Sequence, residues 1–295
     1  MIGRHDRTAG ATVLGLGAWT PGFPDAASWR QAQPRPEVIS PPPRLPARLR
    51  RRASLLTRMV AEVAAQATEQ AGVSLQGLPV VMGSAYGELM TTMEMLEEME
   101  TGQPLSPSRF HNSVHNTATG YLSMAADNQA PCTALAAGND TVAMVLQEAL
   151  ALLADRGGDV LVVLADEQLP LEISSTSQPP LAAALLLRSS SAAASSPTPT
   201  PSGTATGMAL AWLGDLRQEQ DPRPAVERPS EESSPCASIF RLLTAIQDAA
   251  GMAADPAEAV GAERRPTPVR VELTAGPMAR WSLAVGVALA APGHT

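Results

Sequence analysis

The 295-residue sequence contains no lysine, because all 21 of its basic residues are arginine. This excludes every reaction that needs a lysine side chain, including Schiff-base chemistry, a pyridoxal phosphate site and the lysines of P-loops and kinases. Aromatic residues make up only 3% of the chain, whereas 44% of it is hydrophobic. A core of small aliphatic side chains is therefore expected, which favours helices layered on a sheet.

Cysteine is also scarce, since only Cys132 and Cys236 occur. Two cysteines are too few for a disulfide framework or a four-cysteine zinc site, so a reducing cytoplasm is the predicted compartment. The net charge of −8 comes without a basic stripe, so neither nucleic acid nor an acidic lipid surface is an expected partner. No signal-peptide pattern and no apolar run of membrane-spanning length is found, which predicts a soluble protein without a membrane span.

Apolar periodicity predicts alternating strands and helices. Strands are expected at 11–22, 78–88, 130–138, 159–167 and 180–189, and helices at 47–72, 89–102 and 139–156. The run at 159–167 is apolar throughout, as in strands that helices cover on both faces. The alternation of strand, helix and strand predicts a layered α/β fold with a right-handed βαβ crossover.

Two polar segments interrupt this pattern in the second half of the chain. Residues 189–207 are rich in serine, alanine, proline and threonine, and residues 217–235 are charged and rich in proline. Both have too little apolar surface to order themselves, so flexible inserts are expected. A strand lies between them, and a helix and two strands follow them. We therefore expect a single domain over residues 1–295.

His111 and His115 are spaced i, i+4 and would share one face of a helix. No glutamate stands where a zinc hydrolase motif needs one and no third ligand is near, so no metal site is predicted. The favoured interpretation is that these imidazoles bond backbone groups at a helix start. Possible site-lining residues are His111, His115, Asn116 and Cys132.

A nucleophile on a sharp turn at a helix start is the arrangement that acyl transfer needs. The strand at 130–138 runs into the following helix through such a turn, which holds Gly138, Asn139 and Asp140. None of these is a useful nucleophile. Cys132 lies toward the other end of the strand and is predicted to be a small packing residue.

The run from Pro104 to Glu167 resembles the N-terminal half of β-ketoacyl synthases, which belong to the thiolase-like superfamily. The most similar group is the shorter β-ketoacyl synthase-like N-terminal domain proteins of aryl polyene and polyketide gene sets. The motifs that carry this resemblance are Arg50-Arg51-Arg52, Gly87-Glu88 and Ser113-Val114-His115-Asn116. The resemblance implies an α/β, thiolase-like layered fold with a mixed sheet covered by helices, of which this chain has the N-terminal half only.

The resemblance places the nucleophile position of a synthase on Asn139, so that an amide replaces the catalytic cysteine. Synthases carry two catalytic histidines in a C-terminal half, and here only His294 follows Ser190. This implies a non-catalytic accessory subunit, similar to a chain-length factor, that pairs with an intact β-ketoacyl synthase and uses no cofactor. Two alternatives stay open: an active synthase or acyltransferase that a partner completes, using Cys132 or a donated residue, and a binding module without a ketosynthase partner.

Two further groups of residues are candidates for contacts with an acyl carrier protein or its cargo. An arginine cluster could dock an acidic carrier protein, although a solvated helix start is the simpler interpretation. Methionines of the 89–102 helix could line an acyl tunnel, although core or interface packing is more common for such residues. The arginines are Arg48, Arg50, Arg51 and Arg52, and the methionines are Met90, Met93, Met95 and Met99.

Overall fold

The computed structural model describes residues 10–171, 173, 178–190, 210–219, 235–254, 268–273 and 280–287. Most of the two predicted inserts, at 191–207 and 220–234, lies outside the described residues, as does His294. The strands are β1 (Ala11–Trp19), β2 (Val80–Gly83), β3 (Cys132–Leu135), β4 (Asp159–Asp166), β5 (Leu181–Ser189), β6 (Ala211–Glu219), β7 (Val269–Glu272) and β8 (Arg280–Val287). The helices are α1 (Ala26–Arg30), α2 (Ala47–Arg50), α3 (Leu55–Ala71), α4 (Leu89–Glu100), α5 (Pro107–Asn112), α6 (Thr117–Ala126), α7 (Thr141–Arg156) and α8 (Ser238–Ala254).

The strands form one mixed sheet in the order β3-β2-β4-β5-β1-β6-β8-β7. The strands β2, β3 and β4 run parallel, and the remaining neighbours are antiparallel. The chain after the first low-complexity segment therefore extends the sheet beyond β1, because β6 pairs with β1 and β8 pairs with β6. Helices connect β2 to β3 and β3 to β4, as connections between parallel strands of one sheet require.

Both faces of the central strands are buried. Along β4, Val160, Val162 and Leu164 face a core formed with α7 and α8, while Leu161 and Val163 face a second core formed with α3 and α6. Alternate side chains of a strand point to opposite faces, so a strand covered on both sides needs an unbroken apolar run. The continuous run at 159–167 is explained in this way, and the predicted mixed sheet covered by helices is confirmed.

The contact between β1 and α3 depends on glycine. A Cβ atom added to Gly15 would lie 2.0 Å from the backbone oxygen of Ala67, and one added to Gly17 would lie 2.2 Å from the backbone oxygen of Val63. Such distances are far below van der Waals contact, so only glycine allows the helix to approach the strand this closely. These glycines fix the spacing between sheet and helix at the centre of the second core.

Two elements differ from the sequence prediction. The helix expected over residues 47–72 is two helices, because Ser54 interrupts it: its backbone is extended and its side chain accepts a hydrogen bond from the Thr57 amide as the N-cap of α3. The strand expected to be buried at 130–138 is shorter and only half-buried, because β3 lies at one end of the sheet. Sequence periodicity does not distinguish an edge strand of small residues from a central one.

Candidate functional site

The carboxyl ends of β2, β3 and β4 meet at one edge of the sheet, where ligands bind in many open α/β folds. Three segments emerge there: the loop that begins at Ser84, the turn at residues 136–140 and the pair Asp166-Glu167. The Ser84 amide donates a hydrogen bond to the Leu135 carbonyl oxygen at 3.1 Å and so joins the first two segments. We take this edge as the candidate site.

The turn between β3 and α7 contains the predicted nucleophile position. Gly138 has a positive φ of 53°, a conformation that favours glycine, and Asn139 is exposed. Thr141 fixes the turn, because its hydroxyl donates to the Gly138 carbonyl oxygen and accepts from the Ala137 amide. Burial raises the pKa of Asp140 beside it. The predicted sharp strand-to-helix turn is present, and it presents an amide at the start of a 16-residue helix.

Asp166, at the end of β4, is buried and holds the loop after β2 in place. Its Oδ1 atom accepts hydrogen bonds from the Ser84 hydroxyl and the Ala85 amide, both at 2.9 Å. The thiol of Cys236 lies against the same carboxylate. Burial and then Asp166 raise the pKa of this thiol well above its usual range. Neither residue was predicted from the sequence to belong to the site, although the polar pair that ends an apolar strand was a signal for Asp166.

The Glu88 carboxylate accepts hydrogen bonds from three hydroxyl groups. The hydroxyls of Ser54 and Thr57 donate to its Oε1 atom at 2.8 and 3.2 Å, and the hydroxyl of Thr91 donates to Oε2 at 3.1 Å. Burial raises the pKa of Glu88, and these hydrogen bonds oppose the rise because they stabilise the carboxylate. The carboxylate therefore ties the start of α3 to the start of α4.

The two histidines are not brought together. His111 lies on α5 and is exposed, whereas α5 ends at Asn112 and His115 lies beyond it. The His115 Nε2 atom lies 2.9 Å from the Ser84 carbonyl oxygen, and its ring packs on Gly87, where an added Cβ would come within 2.7 Å. His115 thus bonds a backbone group near a helix start, which is the predicted role, and His111 does not. Asn116 is exposed and precedes α6.

The three motifs of the sequence analysis meet around Glu88. His115 contacts the loop that contains Gly87, and Ser54, which directly follows the arginine motif and Ala53, donates to Glu88. The Asn112 side chain donates to the Arg52 carbonyl oxygen at 2.9 Å and so joins the end of α5 to the arginine motif. These contacts join segments that are far apart in the sequence.

Glu167 lies beside this cluster with an unusual charge environment. Its Oε1 atom accepts a hydrogen bond from the Leu56 amide at 2.9 Å, while its buried Oε2 atom has no hydrogen-bond partner within the part of the chain that the structure describes. Burial, with smaller contributions from Glu88 and Glu94, raises the pKa of Glu167 to about 7. Its carboxyl group thus changes charge near neutral pH.

All four arginines of the predicted docking cluster are exposed. Arg51 and Arg52 line two clefts, one of about 540 Å³ at the start of α3 and one of about 640 Å³ between α2 and α6. Arg48 lines the second cleft, whereas Arg50 lines neither, and Glu167 lies in the wall of the first. The cluster is therefore a basic rim around two concave surfaces.

Cys132 and the methionines of α4 do not converge on the site. Cys132 is half-buried at the start of β3, opposite the end that leads to Asn139, and its sulfur lies 3.4 Å from the Ser123 hydroxyl. In α4, Met95 is buried, Met90 lines the first arginine cleft and Met99 is exposed. Met93 is half-buried. These methionines do not line one common tunnel.

The groups at the described site are suited to binding and positioning. Asn139 is not a nucleophile, and the raised pKa keeps the Cys236 thiol protonated at neutral pH. Among the described residues, no cluster of histidine, cysteine, aspartate or glutamate could hold a metal ion. No helix within the described ranges is long and apolar enough to cross a membrane.

The fold is similar to that of solved ketosynthase complexes. A ketosynthase in complex with its chain length factor from Xenorhabdus doucetiae matches with a TM-score of 0.62 and 20% identity, over 93% of this chain and 98% of that chain. The ishigamide ketosynthase/chain length factor matches with a TM-score of 0.70 and 15% identity, over 95% and 99%. A type II polyketide ketosynthase complex with an acyl-carrier protein matches with a TM-score of 0.67 and 11% identity, over 95% and 100%. No curated protein matches the sequence.

The layered fold is therefore the thiolase-like fold of ketosynthases, as the sequence motifs implied. The family described as beta-ketoacyl synthase, N-terminal domain, matches residues 26–238, which is more than half of the chain. The chain belongs to this family. The matched residues begin at α1 and end at the first residue of α8, so they include the whole candidate site.

Proposed function

We propose that this chain is a non-catalytic accessory subunit that pairs with an active β-ketoacyl synthase in a fatty-acid or polyketide type of biosynthesis, as a chain-length factor does. The observation that carries the proposal is Asn139 at the turn between β3 and α7, where the family resemblance places a nucleophile. An amide there keeps a polar group at the helix start but forms no acyl thioester. We place this function in the cytoplasm, where carrier-protein thioesters are processed.

The two cysteines support the non-catalytic assignment. Cys132 lies at the opposite end of β3 from the turn, and Cys236 is fully buried against Asp166. A catalytic thiol needs a lowered pKa and access to its substrate, and Cys236 has neither. The alternative of an enzyme that uses Cys132 has no support from its position.

The surface near β3 supports pairing with a second thiolase-like chain. β3 lies at one end of the sheet, so its outer backbone groups face away from β2 and are able to accept another strand. Large apolar side chains are exposed on α6, which contacts β3, and on the pair α4 and α5, which contact each other: Met124 on α6, Leu96 and Met99 on α4 and Phe110 on α5. An apolar surface of this kind beside an open strand fits a stable protein interface.

The arginine cluster supports contact with an acyl carrier protein, which is the second proposed partner. Arg48, Arg51 and Arg52 are exposed on the rims of two clefts, and their positive charge would attract an acidic surface. The solved complexes of a ketosynthase with its chain length factor and with an acyl-carrier protein motivate both partners.

Co-expression with the ketosynthase encoded beside this chain tests the pairing. We expect a stable heteromer on a sizing column, and we expect Phe110→Asp to dissociate it because it places a charge among the exposed apolar side chains of α4, α5 and α6. The matched control is Val269→Asp, on the edge strand β7 at the other end of the sheet, since the two side chains are 64% and 63% exposed. A chain that elutes alone, or equal effects of the two variants, would contradict the pairing.

Activity measurements test the non-catalytic assignment. The purified chain alone should not turn over acyl or malonyl carrier-protein thioesters, and replacing Cys132 by alanine should leave the product of the heteromer unchanged. Replacing Asn139 by alanine should alter product length or yield in the heteromer, whereas replacing the exposed Asn116 by alanine should not. Turnover by the isolated chain would overturn this part of the proposal.

A further inference from the structure

A third concave site lies at the same edge of the sheet but on the face covered by α1 and α8. Its volume is about 380 Å³, and its walls include Trp29 of α1, Leu181 at the start of β5, and Ala237 and Phe240 at the start of α8. Leu181 pairs with Asp166, so this cavity adjoins the candidate site across the sheet edge, away from the arginine clefts. Cavities of this size hold small molecules in many proteins.

The cavity has an apolar and partly aromatic interior. The rings of Trp29 and Phe240 pack with centroids 4.5 Å apart, and Phe23 packs edge-on against Trp29 at 5.2 Å. An ion pair between Arg30 and Asp248, at 3.0 Å, joins α1 to α8 nearby. These contacts hold α1 against α8, so the apolar wall of the cavity is already formed without a ligand.

The polar side chains in the wall are those of Thr20, Gln178, Arg241 and Thr244, and the two threonine hydroxyls are already engaged. The Thr20 hydroxyl donates to the Pro180 carbonyl oxygen at 2.9 Å, and the Thr244 hydroxyl donates to the Phe240 carbonyl oxygen at 3.0 Å. Arg241 is exposed, and no ion pair or hydrogen bond of the described residues involves its guanidinium. One free positive charge therefore stands at the mouth of an apolar cavity.

We propose that this cavity binds an apolar monocarboxylate, with the carboxylate on Arg241 and the tail against Trp29 and Phe240. The charge complementarity of a single guanidinium selects an anionic head, because a charge-assisted bond between guanidinium and carboxylate is stronger than a neutral hydrogen bond. The apolar walls select a hydrocarbon tail. The site is separate from the turn at Asn139 and does not depend on pairing with a ketosynthase.

Calorimetric titration of the full chain with octanoate and with 1-octanol tests the proposal. Octanoate should bind at least tenfold more tightly than the alcohol, because loss of a hydrogen bond to a charged group costs about that factor. Arg241→Gln should remove this preference. Arg156→Gln, at the end of α7, is the matched control, since it removes an exposed arginine elsewhere and should leave the affinity unchanged.

A variant that fills the cavity separates specific binding from general adsorption. Ala237→Leu should weaken the binding of both probes at least tenfold while it leaves Arg241 in place, and circular dichroism verifies its fold. If this variant does not fold, the comparison of Arg241→Gln with Arg156→Gln still tests whether Arg241 binds the carboxylate. The proposal is overturned if octanoate does not bind, if the alcohol binds equally well, or if Arg241→Gln binds octanoate as the unchanged chain does.

Discussion

Replacing Glu167 by glutamine should stabilise the protein at alkaline pH but not at acidic pH. The glutamine oxygen can still accept the hydrogen bond from the Leu56 amide, and the substitution removes the negative charge while an amide nitrogen replaces one carboxylate oxygen. That charge is unfavourable in the folded state, because the carboxyl group is mostly buried and lies near Glu88 and Glu94. The unfolded chain exposes the carboxylate to water and does not have this cost.

The magnitude follows from the pKa of Glu167, which rises from the ordinary 4.5 to about 7. Between these values the folded state holds a proton that the unfolded state has lost, so the free energy of unfolding falls as pH increases through this window. One pKa unit corresponds to about 1.4 kcal/mol, so the loss approaches about 3 kcal/mol above pH 8. Glu167→Gln should recover this amount at pH 8 and almost none of it at pH 4.5.

Urea unfolding followed by circular dichroism at pH 4.5, 6 and 8 measures this difference. Glu97→Gln is the matched control, because it makes the same chemical change on the exposed surface of α4 and should alter stability by less than about 0.5 kcal/mol at each pH. A gain for Glu167→Gln that is equal at all three pH values would refute an origin in ionisation. A loss of stability at pH 8 would show that the Glu167 carboxylate is favourable in the folded state.

Two further predictions follow from packing. Gly15→Ala should destabilise the protein by about 2–3 kcal/mol in urea unfolding, because its Cβ would overlap the Ala67 carbonyl oxygen, whereas Gly120→Ala, in α6 with open space around it, should be neutral or slightly stabilising. An equal effect of the two substitutions would contradict the close approach of β1 and α3. Cys236 should resist iodoacetamide at pH 8 in the folded chain and react in urea, as peptide mass spectrometry can measure, since it is buried with a raised pKa. Rapid labelling of Cys236 without denaturant would contradict its burial.

The fold could be predicted where local periodicity and burial agree. The continuous apolar run of β4 and the amphipathic pattern of α7, with Gly157 at its end, correspond to single elements because both faces of β4 and one face of α7 are buried. The break at Ser54 was missed, because helix formers on both sides hide a capping residue. The joining of β6 to β1 could not be predicted, since strand pairing across a long insert leaves no local signal.

The candidate site shows the same division between local and long-range signals. The turn at Gly138-Asn139 was visible in the sequence, because a glycine and polar residues separate a strand from a helix. The contact of Asp166 with Cys236 joins residues 70 positions apart in the sequence. The contact of Glu167 with the Leu56 amide joins residues 111 positions apart. Only the three-dimensional structure reveals that these residues share one sheet edge.

The contacts around Glu88 show why the family motifs are evidence for the fold and not for catalytic activity. Ser54 caps α3 and also donates to Glu88, and His115 bonds the Ser84 carbonyl oxygen beside Gly87. Each of these contacts holds helix starts and loops in position, and none requires a nucleophile. A chain that has lost a catalytic cysteine would still need these residues to fold, because an unpaired buried carboxylate is costly. The motifs therefore identify the family and its architecture, whereas the proposed loss of catalysis rests on Asn139 at the turn after β3.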